Sequence, residues 1–156
     1  MKGLCAVFII VTVLIFTTPL IAIEFEYSRK PVTSDDLAVS AVFESLLRVY
    51  GKGADQVVPY LEEKVVYWTT SGGGYGFQPK EEGVQRVAGI LGGVQLESQS
   101  VYDIVVEVSN DKAVVRGLHS YTFYRGSIIT HGRRAAIWEF RKDNRGSWKA
   151  IVIGSR

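Results

Sequence analysis

Residues 101–153 read VYDIVVEVSNDKAVVRGLHSYTFYRGSIITHGRRAAIWEFRKDNRGSWKAIVI. The stretch divides into four alternating runs joined by three turns. Val101 to Val108 alternates, stops at Ser109-Asn110-Asp111-Lys112, and resumes as Ala113 to Tyr124 with many β-branched and aromatic residues. A two-residue turn at Asn110-Asp111 would pair Val108 with Ala113, Val106 with Val115, Ile104 with Gly117 and Tyr102 with His119. A second tight turn at Arg125-Gly126 would pair Tyr121 with Thr130, His119 with Gly132, Gly117 with Arg134 and Val115 with Ala136.

Because side chains alternate across a strand, this register sorts the sheet into two faces. The first carries Tyr102, Ile104, Val106, Val108, Val115, His119, Tyr121, Arg134, Ala136, Trp138 and Phe140. If the turn from Arg141 to Ser147 sets Trp148 opposite Phe140, Ala150 and Val152 join it. This face is apolar at one end and polar at the other, which suits a concave wall with a closed end and a ligand-binding mouth. The second face carries Val105, Val114, Leu118, Ile129, Ala135, Ile137, Ile151 and Ile153, fringed by Glu107, Arg116, Arg133, Glu139 and Lys149. An apolar patch inside a charged rim marks an interaction surface.

The 156-residue chain is 47% hydrophobic and 22% charged, enough for one domain with an ordinary core. Its 18 basic and 16 acidic residues are interspersed, and the short clusters Arg133-Arg134 and Arg141-Lys142 form no basic stripe, so no nucleic-acid partner is expected. An uncharged run, Leu4 to Ile23, lies between Lys2 and Glu24. It exceeds the usual signal-peptide core of about 7–15 residues and is about long enough to span a bilayer. Two readings stand: residues 1–23 are a signal peptide cleaved after Ala22, following the breaker Pro19, or they are an anchor retained in the membrane. Both place the domain outside the cytoplasm, periplasmic or secreted, touching a membrane only through residues 4–23. The single cysteine, Cys5, lies in that run, so the folded domain has no disulfide or thiol chemistry.

Glu24 to Val32 reads as a polar linker, and 33–156 as the domain. Thr33 or Ser34 caps a helix with Asp35 and Asp36 in its first turn, and Val39, Val42, Phe43, Leu46 and Tyr50 form its apolar stripe. After Gly51-Lys52-Gly53 come a helical turn, Ala54 to Tyr60, and a strand, Lys64 to Thr70. A glycine-rich loop, Ser71 to Gly76, precedes a second helix beginning near Pro79 and ending at Gly92-Gly93. The loop lacks the Gly-Lys-Ser/Thr ending of a phosphate loop and reads as a flap or plain connection. The fold class is α+β.

That order of elements, with Gly53-Ala54-Asp55, Tyr60 to Trp68, Trp138-Glu139-Phe140 and Trp148-Lys149, resembles the NTF2-like superfamily, which includes SnoaL-type polyketide cyclases, ketosteroid isomerase and scytalone dehydratase. The resemblance covers about Asp35 to Ile153 and speaks for fold more than activity. It implies a cone: a curved antiparallel sheet of four long strands plus a short one, wrapped around two to three N-terminal helices. It also implies a cavity lined by Tyr67 or Trp68, Tyr102, His119, Tyr121, Arg134 and Trp138, and a homodimer in which two outer faces pack through Val105, Val114, Leu118, Ile129, Ile137 and Ile151.

Three functions follow. The cone binds a small polar or anionic organic ligand; or it is a cofactor-independent lyase or isomerase using His119 with Tyr102 or Tyr121; or it is a non-catalytic assembly module with a filled cavity. Enzymes of the superfamily place a carboxylate in the cavity, whereas Asp103, Glu107 and Glu139 all fall on the outer face in this register. Glu62, Glu63 or Asp55 could still reach it from the first strand and short helix. His119 could instead pair with Tyr102 while Arg134 answers Glu44 or Asp55. No metal site is expected, because His119 and His131 differ in strand parity and no cysteine completes a set.

Overall fold

The computed structural model describes residues 22–70 and 77–155. The uncharged run up to residue 21 and the glycine-rich loop 71–76 lie outside the described residues. In chain order the elements are β1 (Ile23–Tyr27), α1 (Ser34–Arg48), α2 (Ala54–Val57) with a 3-10 turn (Val58–Tyr60), β2 (Leu61–Thr70), β3 (Phe77–Gly83), α3 (Val84–Gly93), β4 (Gln95–Ser109), β5 (Lys112–Arg125), β6 (Ile128–Lys142) and β7 (Trp148–Ser155). One seven-stranded sheet runs β1-β4-β5-β6-β7-β2-β3. The meander from β4 to β7 is antiparallel as expected, but β1 joins β4 and β2 joins β7 in parallel, so the sheet is mixed.

Helix α1 starts where its capping chemistry directs. Thr33 accepts from the Asp36 N–H at 3.0 Å, and the Asp36 carboxylate accepts from the Thr33 N–H at 3.1 Å. Its stripe buries Val39, Phe43, Leu46 and Leu47 completely. Phe43 meets Trp138 of β6 edge-on, with ring centroids 4.9 Å apart. Lys142 at the end of β6 ties down the start of the helix through Asp35 at 2.9 Å.

Two segments differ from the sequence reading. Glu24 to Val32 is not all linker, since Ile23-Glu24-Phe25-Glu26-Tyr27 is a period-two strand with its apolar members turned inward. Phe25 packs on Phe43 at 5.9 Å, and the Tyr27 hydroxyl donates to Glu44 at 2.9 Å. The segment around Pro79 is not helix but the edge strand β3, antiparallel to β2. An edge strand tolerates the N–H that proline lacks, and the helix waits until Val84, after Gly83.

The register also needs three corrections. The β5–β6 turn is Gly126-Ser127, because Arg125 pairs with Ile128. Gly126 takes φ +62°, a conformation that would strain Arg125. The partners therefore slip by two residues without changing face: His119 lies opposite Arg134, Tyr121 opposite Gly132, Gly117 opposite Ala136 and Val115 opposite Trp138. Within β4, Val108 and Val106 pair with Ala113 and Val115 as expected, but a bulge between Tyr102 and Val105 inserts one residue. Asp103 absorbs it at φ +53°, and Gly117 makes room opposite, where a Cβ would lie 2.8 Å from Val101 Cγ1. His119 consequently pairs with Val101, and Tyr102 pairs with Leu118 on the outer face. A further irregularity sets Phe140 opposite Ala150 but Glu139 opposite Val152, so Ile153 is buried within and Val152 turns outward, the reverse of the expected parity.

Candidate functional site

The helices close one end of the curved sheet and leave a cavity of about 640 Å³ at the other. Its floor is Tyr50 from the end of α1, Gln99 of β4 and Trp138 of β6, all buried. Its walls include Tyr67 and Trp68 of β2, Leu96 of β4, and Tyr121 and Phe123 of β5. Arg86 and Ile90 of α3 and Arg134 of β6 also line it, and all three are exposed, which places them at the mouth.

Two local features shape the wall. Tyr121 reaches over its cross-strand neighbour Gly132, whose missing Cβ would collide with the Tyr121 Cζ. Rings then run in series, His119 to Tyr121 at 5.1 Å and Tyr121 to Phe123 at 5.8 Å, with Trp138 at 5.7 Å from His119 on the other side. This gives a ligand extended aromatic contact.

The polar groups are few and specifically held. Gln99 Nε2 donates to the Leu47 carbonyl at 2.6 Å, and Gln99 Oε1 stands 3.2 Å from His119 Nε2. A carbonyl can only accept, so the amide nitrogen must face Leu47 and the amide oxygen must face the imidazole. Burial pushes the His119 pKa down from 6.5 to about 4, so the ring is neutral at pH 7. A neutral ring that donates from Nε2 has an unprotonated Nδ1. The Tyr50 hydroxyl is buried with no well-formed hydrogen bond among the described residues, only the Trp138 side chain beside it, and burial raises its pKa. Burial also raises that of Tyr67, with the nearby Tyr121 adding to it.

Of the residues expected from sequence, Tyr67, Trp68, His119, Tyr121, Arg134 and Trp138 all line the cavity. Tyr102 does not, because the bulge turns it outward, where its hydroxyl lies 3.5 Å from Glu24. The pairing of His119 with Tyr102 is therefore replaced by the bond to Gln99. No carboxylate is among the described lining residues: Glu62 faces Arg141 at 3.6 Å, Asp55 accepts from Gln56, and Glu44 is engaged by Tyr27 and Arg48. Gln99 and Tyr50 escaped the sequence reading. The signal for Gln99 was present, since Val101 and Ile104 are three residues apart where a regular strand spaces its inward residues by two.

The arrangement offers the Arg134 guanidinium, aromatic walls and a neutral imidazole nitrogen able to accept a proton donor, while Arg86 is paired with Glu82 at 3.2 Å. A base whose conjugate acid has a pKa near 4 is poorly matched to proton abstraction at neutral pH. Among the described residues no group of His, Cys, Asp and Glu is arranged to hold a metal ion.

No protein-family model and no curated protein matches this sequence. Solved structures do match its fold. A protein from Exiguobacterium sibiricum 255-15, assigned by name to the Ca/calmodulin-dependent kinase II association domain, superposes with a TM-score of 0.65 at 14% identity, covering 82% of this chain and 98% of its own. An NTF2-like protein from Cytophaga hutchinsonii gives a TM-score of 0.62 at 13% identity over 80% of this chain and 98% of its own. A ketosteroid isomerase-like protein from Erwinia carotovora atroseptica gives 0.58 at 17% identity over 78% and 95%.

Proposed function

On the NTF2-like fold that this chain has, we propose that the cone binds a small organic anion, as a homodimer outside the cytoplasm. The observation that carries this reading is a cavity with Arg134 at its mouth, aromatic walls and no carboxylate among the described lining residues. Ketosteroid isomerase-like neighbours share the fold, but the cofactor-independent lyase or isomerase reading would here rest on His119 and Tyr121 alone. The depressed basicity of His119 weighs against it.

The dimer would use the outer face. Val105, Val114, Leu118, Ile137 and Ile151 are only half-buried there, Ile129 is 51% exposed, and the Arg116–Glu107 ion pair sits beside them. Ile153, which the sequence reading also placed on this face, is buried on the inner side and takes no part. Export is supported by β1 beginning at Ile23, so that cleavage after Ala22 would leave every described strand whole.

Native mass spectrometry of the protein after incubation with a metabolite extract reads both claims. The expected species is a dimer retaining an acidic small molecule that Arg134→Ala fails to retain. A monomer contradicts the dimer, and a neutral ligand, or undiminished retention by the variant, contradicts the anion site.

A further inference from the structure

The polar floor of the cavity goes beyond anion attraction, because its hydrogen-bonding sense is fixed by the backbone. The Leu47 carbonyl orients the Gln99 amide, the Gln99 oxygen requires a proton on His119 Nε2, and Nδ1 is left with a lone pair. The opposite tautomer would set two lone pairs against each other at 3.2 Å. The bond to Gln99 is the only hydrogen bond of His119 among the described residues, and the ring lines the cavity. Arg134, its cross-strand neighbour on the same face, is exposed at the mouth. Tyr121 and Phe123 continue along β5 past the His119–Arg134 pair, opposite Gly132 and Thr130, and line the same cavity. A second polar group at the floor is the buried Tyr50 hydroxyl, beside Trp138.

We infer that the ligand is a ring carboxylate bearing a hydroxyl group: the carboxylate sits on Arg134, the ring lies against Tyr121 beside His119, and the hydroxyl donates to His119 Nδ1. Gln99 is the positioning residue that makes His119 an acceptor. At His119 itself a ligand group that can only accept, such as an ether or a ketone, meets a lone pair and loses that bond. This inference rests on the anion-binding reading and narrows it to a substrate class.

The test compares 3- and 4-hydroxybenzoate with their methoxy counterparts and with benzoate by titration calorimetry at pH 7, alongside the ¹⁵N spectrum of His119. The expected result is an Nε2–H tautomer and one hydroxybenzoate binding about tenfold more tightly than its methoxy partner and benzoate. In His119→Phe the preference of the hydroxy acid over its methoxy partner should vanish. In Gln99→Leu the tautomers should mix and the preference narrow. Equal binding of the matched hydroxy and methoxy acids, or an Nδ1–H tautomer in the wild type, overturns the inference while leaving the anion site standing. If none of the five acids binds, the anion site fails and the inference fails with it. Should Gln99→Leu not fold, the wild-type comparison and His119→Phe decide alone.

Discussion

At the scale of single residues, His119 carries the most consequential shift. Its folded pKa of about 4 lies below the 6.5 of an unfolded histidine, so between these values the unfolded chain binds the extra proton. This contribution to stability is complete above pH 6.5, is lost as the pH falls towards 4, and levels off below that. A shift from 6.5 to about 4 corresponds to a loss on the order of 3 kcal/mol. Burial is the cause of this shift, and the groups that face the ring are Gln99, Tyr121, Trp138 and Arg134 across the strand pair. Asp36 and Asp143, each held below the usual carboxylate range chiefly by backbone N–H groups, add their losses only at lower pH. Urea unfolding at pH 7, 5.5 and 4 should therefore show a decline that His119→Phe flattens; parallel declines in the two proteins would contradict the assignment.

At the scale of elements, the bulge in β4 decides which side chains enter the cavity. Asp103 holds φ +53°, where a β-branched residue is strained and glycine is not. Asp103→Val should cost about 1–3 kcal/mol and disturb the Gln99–His119 bond, whereas Asp103→Gly should be close to neutral; chemical denaturation measures both. Equal stability of the two variants would mean that the bulge does not depend on this conformation. The same bulge shows how far the fold is legible in sequence. Alternation and turn chemistry located the four meander strands, and Thr33 with Asp36 located the first helix, because these signals are local. The turn signal at Gly126 is also local, but it fits Arg125-Gly126 and Gly126-Ser127 alike, and only the ladder, with Arg125 opposite Ile128, selects the second. The exclusion of Tyr102 and the entry of Gln99 depend on one extra residue in a ladder, and its trace in the sequence is only the three-residue spacing from Val101 to Ile104. β1 was missed because its alternating glutamates read as a polar linker, and its burial depends on Phe43 and Glu44 far along the chain.

At the scale of the molecule, six of the seven residues expected to line the cavity do so, because a slip of two residues preserves the face while an insertion of one reverses it. The same parity keeps the outer face separate from the cavity, as the proposed dimer and ligand site both require. The central claim, that an organic anion enters the cone, is tested most directly by mapping benzoate binding through amide and side-chain NMR shifts. The account predicts dose-dependent shifts at His119, Tyr121, Phe123 and Arg134, with Leu118 and Ile137 on the outer face unmoved. Shifts confined to the outer face, or none at His119 and Arg134, would contradict it.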